Sequence, residues 1–119
     1  EHLEDPKKAL KELLRVSRKR VIITVPFNEK IRWCRCVHCA RWTPISGHLH
    51  TFNKENIGDI IPNNARIVRI ELICNKVLSY FPGPRSTFRL PILISSTIDK
   101  ISNYIVPRVK WMMVILDKK

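Results

Sequence analysis

Residues 5–25 pass from a helical repeat straight into an almost unbroken apolar run, and few folds accommodate that order. Asp5 is a good N-cap, and Pro6 suits the first helical position because its missing N–H has no partner there. Ala9, Leu10, Leu13, Leu14 and Val16 recur at helical spacing, with Lys7, Lys8, Lys11, Glu12 and Arg15 on the opposite face. Arg18-Lys19-Arg20 then closes the helix with cations near its last carbonyls. Val21-Ile22-Ile23-Thr24-Val25 follows and Pro26 ends it. A strand apolar at successive positions is expected to be buried on both faces, and after a helix it points to a parallel sheet.

The alternation continues downstream. Asn53 is the next N-cap, opening a short helix with Ile57, Ile60 and Ile61 inward until Pro62. Arg66–Leu78 has the period of a strand: Val68, Ile70, Leu72 and Cys74 share one face, Arg69 and Glu71 the other. Phe81-Pro82-Gly83-Pro84 reads as a turn, and a third helix is predicted over about Pro91–Ile105, with Ile94, Ile98, Ile101 and Ile105 as its stripe. Val109–Leu116 is a final strand, apolar enough to sit inside a sheet. Cys74 is expected to be a small buried hydrophobe. The fold class is α/β. At 119 residues and 45% apolar content, the chain suits one small globular domain.

Lys and Arg outnumber Asp and Glu by 22 to 10, giving a net charge of +12 that is spread along the chain. Such a surface favours anionic partners, nucleic acid among them. The longest apolar-rich stretch, residues 88–106, is interrupted by Arg89, Asp99 and Lys100, so no membrane span is expected.

Residues 28–52 have little periodicity and hold the most chemical constellation. Three of the four cysteines are crowded into Cys34, Cys36 and Cys39. Thiols so close in sequence make poor disulfide partners, which implies a reducing, cytoplasmic setting where such clusters bind metal. Zn²⁺ takes four tetrahedral thiolate and imidazole ligands. Cys36 and Cys39 have the CxxC spacing, and either His48 with His50, or Cys34 with one His, completes the set; His38 is left facing solvent. Arg32, Arg35 and Arg41 would also lower nearby thiol pKa values, but no Cys/His/Asn order accompanies them for a nucleophilic cysteine. Trp33, Trp42 and Phe52 either stack on bases beside these arginines or anchor the loop to the core, and the anchoring role is the simpler expectation.

Two segments carry a family resemblance. Glu1-His2-Leu3-Glu4-Asp5-Pro6 resembles the "EHL-x-D-P" segment that follows the fourth strand of class I S-adenosylmethionine-dependent methyltransferases of type 11, and the closing KWMMVILDKK is similar to their last strand. The resemblance implies the C-terminal half of a doubly wound, Rossmann-like sheet. Glu1–Leu3 would end strand four, Val21–Val25 and Arg66–Leu78 would be strands five and six, and Val109–Leu116 would be strand seven, antiparallel between them. It further implies that Glu1, His2 and Leu3 line the methionine end of the cofactor. Pro26 and Phe27 would lie at the crevice where the acceptor binds, and His2 and His48 are the candidate general bases. The GHLHTF segment, residues 47–52, resembles a His-containing segment that precedes a helix in many such enzymes without metal, so His48 has two competing explanations.

The family's Gly-rich cofactor loop is not among these residues: the three glycines are Gly47, Gly58 and Gly83, with no GxG. The chain is therefore expected to be the acceptor-side half of its enzyme, incapable of a complete S-adenosylmethionine site alone. It is also expected to self-associate through the exposed edge of strand five. Residues 81–107 are long for a connection between strands. By resemblance they supply part of a lid over the acceptor, with Phe88, Leu90, Ile92 and Leu93 as its apolar surface; the plainer alternative is a helix that covers one sheet face.

Overall fold

The computed structural model describes residues 1–76 and 91–119. The first helix, α1 (Pro6–Val16), starts as its sequence dictates: the Asp5 carboxylate accepts from the Lys8 N–H at 2.9 Å, and Pro6 occupies the first turn. Its end differs from expectation. The helix stops at Val16, and it is Lys118, from the far end of the chain, whose Nζ reaches the carbonyls of Arg15 (3.4 Å) and Ser17 (3.3 Å). Arg20 belongs to the next strand, where its guanidinium donates twice to Asp117, at 2.7 and 3.3 Å.

Strand β1 (Arg20–Pro26) leads to a small hairpin of β2 (Trp33–Arg35) and β3 (Trp42–Pro44), and then to a 3-10 turn at Ile57–Ile60. Strand β4 (Ala65–Asn75), helix α2 (Ile92–Ile105) and strand β5 (Val109–Lys118) complete the order. The sheet order is β1-β5-β4, with β5 antiparallel to both neighbours. The last strand thus lies inside a small antiparallel sheet; β1, expected in a parallel sheet, pairs antiparallel with β5 and has no parallel neighbour among the described residues.

Burial on both faces of β1 is overturned. Val21 and Val25 are buried, but Ile22 is 59% exposed, so burial alternates along the strand. The layer formed by α1 with the 3-10 turn packs on one face of the sheet, and α2 packs separately against β4. Leu10, Leu14, Val21, Val25, Ile57, Met112, Val114 and Leu116 form the core between that layer and the sheet. Leu13 and Val16, expected inward, are exposed because α1 meets a neighbour on only part of its apolar side. The helix foreseen after Asn53 is a single 3-10 turn. The Asn53 side chain accepts from the N–H groups of Glu55 (3.0 Å) and Asn56 (2.8 Å), and the turn buries Ile57 before Pro62.

Strand β4 departs from its expected face because of a bulge. The register slips between Ile67 and Arg69, leaving Val68 opposite nothing and exposed, while Ile70 and Leu72 pack on the core. Cys74 is exposed, at a left-handed φ of 61°, and is no core residue. That backbone conformation turns the N–H groups of Cys74 and Asn75 onto the Asp99 carboxylate at 2.7 and 2.8 Å. Asn75 is buried and donates to Asn103 Oδ1 and the Val106 carbonyl. Polar bonds therefore dock α2 on β4, and the expected apolar stripe is overturned: Ile94, Ile101 and Ile105 are exposed, with Ile98 half-buried. Leu93, assigned to a lid, is exposed as well. The turn at 81–84, the end of the expected strand at 77–78, and the lid residues Phe88 and Leu90 lie outside the described residues. None of the described helices is long and apolar enough to cross a membrane.

Candidate functional site

The carboxyl ends of β1 and β4 lie at the same end of the sheet, because both strands run antiparallel to β5. The chain leaving β1 is held there. The Phe27 N–H donates to the Lys110 carbonyl at 3.0 Å, and Phe27 forms a parallel bridge with Phe52. Asn28 turns the chain at φ 48°, a left-handed conformation that Asn tolerates, and its N–H donates to the Phe52 carbonyl at 2.8 Å. This turn places Glu29 beside the segment 47–52. The Thr51 hydroxyl donates to the Glu29 carbonyl at 2.9 Å, and Phe52 is buried as an anchor.

The segment 47–52 also binds the start of the chain. Glu1–Leu3, expected as a strand end, forms no strand; its backbone bonds go to this segment instead. The Leu49 N–H donates to the Glu1 carbonyl at 2.7 Å, and His50 Nε2 donates to the Leu3 carbonyl at 2.8 Å. His2 Nδ1 donates to the Gly47 carbonyl at 3.1 Å, a contact that Gly47 presents from a left-handed φ of 69°. The opening Glu1–Leu3 segment and the 47–52 segment are thus clamped together at the carboxyl end of β1.

His48 stands at the centre. Its Nδ1 is 2.6 Å from Glu29 Oε2, and its ring meets that of His2 edge-on with centroids 4.6 Å apart. A nitrogen that donates to a carboxylate fixes the ring's tautomer, leaving Nε2 with its lone pair free as a base or ligand. Glu29 was missed by sequence reasoning. Its signal was weak: a carboxylate shortly after the Pro26-Phe27 pair at the end of β1. A pocket of about 160 Å³ opens beside it, lined by Pro26, Glu29, His48, Lys76, Lys110 and Trp111. Pro26 is therefore at the site, whereas Phe27 packs partly into the core.

The cysteines stand apart from this centre. Among the described residues, no three of Cys34, Cys36, Cys39, His48 and His50 bring ligand atoms within 4.8 Å of one another; the group that does is Glu1, His2 and His48. Cys36 and Cys39 share the tip of the β2–β3 hairpin, which closes through Cys36 N–H to the Arg41 carbonyl (2.8 Å) and Ala40 N–H to the Cys36 carbonyl (2.9 Å). The backbone N–H groups of Cys39 and His38, together with the Cys39 side chain, hold the Cys36 thiol below its ordinary pKa. His38 is exposed, as expected. Trp33 and Trp42 do not anchor the loop: they are 55% and 66% exposed, and the register Trp33–Pro44 and Arg35–Trp42 puts both on one hairpin face with Arg35. Compared with known proteins, the chain matches no family model, no curated protein and no solved structure.

Proposed function

We propose that these residues are the acceptor-side, C-terminal part of a class I S-adenosylmethionine-dependent methyltransferase with a Rossmann-like sheet. The observation that carries the reading is the position of β5, antiparallel between β1 and β4, which is the arrangement required of strands seven, five and six. A second support is the meeting of Glu1–Leu3 with the 47–52 segment at the carboxyl end of β1, where doubly wound folds bind their ligands. In this reading Glu1, His2 and Leu3 face the methionine end of the cofactor, and the pocket at Pro26, His48 and Trp111 receives the acceptor. Transfer then rests chiefly on holding the acceptor atom in line with the methyl group. His48, oriented by Glu29, takes the acceptor's proton. Sequence upstream of Glu1 supplies the test: a strand followed by a Gly-rich loop is required there, and protein that includes it must bind S-adenosylhomocysteine in calorimetry, more weakly after His2→Ala. Absence of the loop or of binding refutes the assignment.

A second reading rests on the exposed Trp33, Arg35 and Trp42 face. It is a basic, non-catalytic module that binds single-stranded nucleic acid, with Cys36 and Cys39 offering thiolates to a stabilising zinc ion. Base stacking on an aromatic side chain is worth about 1–3 kcal/mol. Trp33→Ala or Trp42→Ala should therefore weaken oligonucleotide binding about 5- to 150-fold, read by fluorescence titration across a salt series. Equal affinity in wild type and both variants excludes it.

A further inference from the structure

We propose that Glu1, His2 and His48 form a binding site for a divalent transition-metal ion, distinct from the cysteine hairpin. One ligand atom from each residue lies within 4.8 Å of the other two. Ligands about 2.0–2.2 Å from a tetrahedral ion stand roughly 3.4 Å apart, so modest side-chain rotation closes the set. The proposal does not rest on the methyltransferase reading, and it assigns the His48 Nε2 lone pair to the metal in place of a proton.

Proximity alone would be weak; the hydrogen bonds behind the ligands are the stronger argument. His2 Nδ1 faces the Gly47 carbonyl at 3.1 Å, and a carbonyl can only accept, so Nδ1 carries the proton and Nε2 keeps its lone pair. His48 Nδ1 faces the Glu29 carboxylate at 2.6 Å with the same consequence. For His2, whose Nε2 faces Glu1, the nitrogen away from the cluster is bonded to an oxygen, as in metal-ligating histidines in general; at His48 the Glu29 bond leaves Nε2 as the nitrogen available to a metal. Glu1 completes the donor set, with its Oε1 3.9 Å from His2 Nε2. Its backbone is fixed by the Leu49 N–H, on the residue next to His48.

The chemistry of the donors selects the ion. Two imidazoles and one carboxylate suit Zn²⁺ and its first-row neighbours, and do not suit Mg²⁺ or Ca²⁺, which prefer all-oxygen shells. Three protein ligands leave at least one coordination position open, the pattern of catalytic rather than structural metal centres. The Glu1 and His48 side chains are 19% and 17% exposed, and His2 is 58% exposed. The ion would therefore sit half-enclosed, beside the pocket that His48 and Pro26 line. The open position would take water or an oxygen or nitrogen of a small molecule in that pocket.

The test uses protein containing residues 1–119, stripped with chelator and titrated with Zn²⁺ by calorimetry and with Co²⁺ by visible absorption. The hairpin thiols are a competing site, so Cys36→Ser/Cys39→Ser is the reference protein. It should bind one ion, with a Co²⁺ spectrum lacking thiolate charge transfer. In that background His2→Ala and His48→Ala should each abolish the binding. Glu29→Gln, which leaves all three ligands in place, should weaken it about 10- to 100-fold. His2 is exposed, so His2→Ala tests the site even if His48→Ala unfolds. No binding to the reference protein at millimolar metal overturns the proposal, as does affinity unchanged by His2→Ala.

Discussion

Leu13 and Leu14 are adjacent, identical in chemistry and both on the apolar side of α1, yet truncating them should have very different consequences. Leu14 is 0% exposed and packed among Leu10, Val21, Met112 and Leu116, whereas Leu13 is 48% exposed. Leu→Ala at a fully buried site removes the transfer free energy and leaves a cavity, at a cost of about 2–5 kcal/mol. Leu14 is wholly enclosed in the core that α1 shares with the sheet and the 3-10 turn, so a value near 3 kcal/mol is expected, or about 10 °C in Tm for a chain of this size. Leu13 keeps about half its surface in water. It also borders an open apolar pocket of about 170 Å³ that can relax around a smaller side chain. Its truncation should cost under about 1 kcal/mol. Urea titration of the wild type and the two variants, with m held in common, measures both values. If Leu13→Ala costs as much as Leu14→Ala, that side of α1 is covered in the folded protein, and the exposed position of Leu13 is refuted.

Acid should weaken the sheet through Asp117. A hydrogen bond from Arg20, aided by the charges of Arg20, Arg66 and Lys19, holds its carboxyl below the ordinary carboxylate value. The folded state then binds protons less readily than the unfolded chain. The contribution is present above about pH 4 and is lost as pH falls through the lowered folded value. Asp117→Asn should flatten the acid limb of a pH series of urea midpoints; an unchanged limb rules the pair out as its cause. The cysteines should differ in reactivity: hydrogen bonds to Cys36 lower its pKa, while partial burial and the Asp99 carboxylate raise that of Cys74. Timed iodoacetamide labelling read by mass spectrometry should modify Cys36 well before Cys74, and equal rates contradict the assignment. Gly47→Ala should cost about 1 kcal/mol, because φ 69° penalises any side chain there even though a Cβ would meet nothing closer than His2 Nδ1 at 3.5 Å. Sedimentation at micromolar concentration should show self-association, since the outer edge of β1 has no partner among the described residues; a monomer boundary counts against this.

Local chemistry was the legible part of the fold. Asp5-Pro6 fixed the start of α1, Asn53 opened a capped turn, and the apolar character of Val109–Leu116 placed β5 inside the sheet, because each depends on neighbours in sequence. What escaped reading depended on what lies across the fold. Val21–Val25 has the pattern of a strand buried twice, but pattern cannot say whether a second layer is present, and Ile22 is left in water. The bulge at Val68 reversed part of the expected face of β4 with no Gly or Pro to announce it. Asp99 interrupts an apolar helix in sequence; in space it holds two backbone N–H groups of β4, which turns α2 onto its polar side. At the site, His2 and His48 were nameable singly. Glu29 was not, because its importance comes from the left-handed turn at Asn28.

That turn also explains why the site sits where it does. Strand β1 ends at Pro26, and its exit is tied to β5 through the Phe27 N–H and to the 47–52 segment through the Asn28 N–H. With both ends of the loop 29–46 fixed in this way, the intervening residues can carry the exposed β2–β3 hairpin without disturbing His48. Glu1–Leu3 is bound to the same segment through Gly47 and Leu49 on either side of His48, and through His50 beyond them. The His48 ring is thereby held by the Glu29 carboxylate and the His2 ring, between backbone bonds made by the residues on either side of it. Such over-determination makes little sense as support for the fold, whose core lies among Leu14, Ile57 and Leu116, outside this cluster. A ring positioned by three separate segments is what a group with a chemical task requires. His48→Gln should accordingly leave the urea midpoint nearly unchanged while eliminating whatever binding or transfer the site performs, and a large loss of stability would instead make His48 a structural residue.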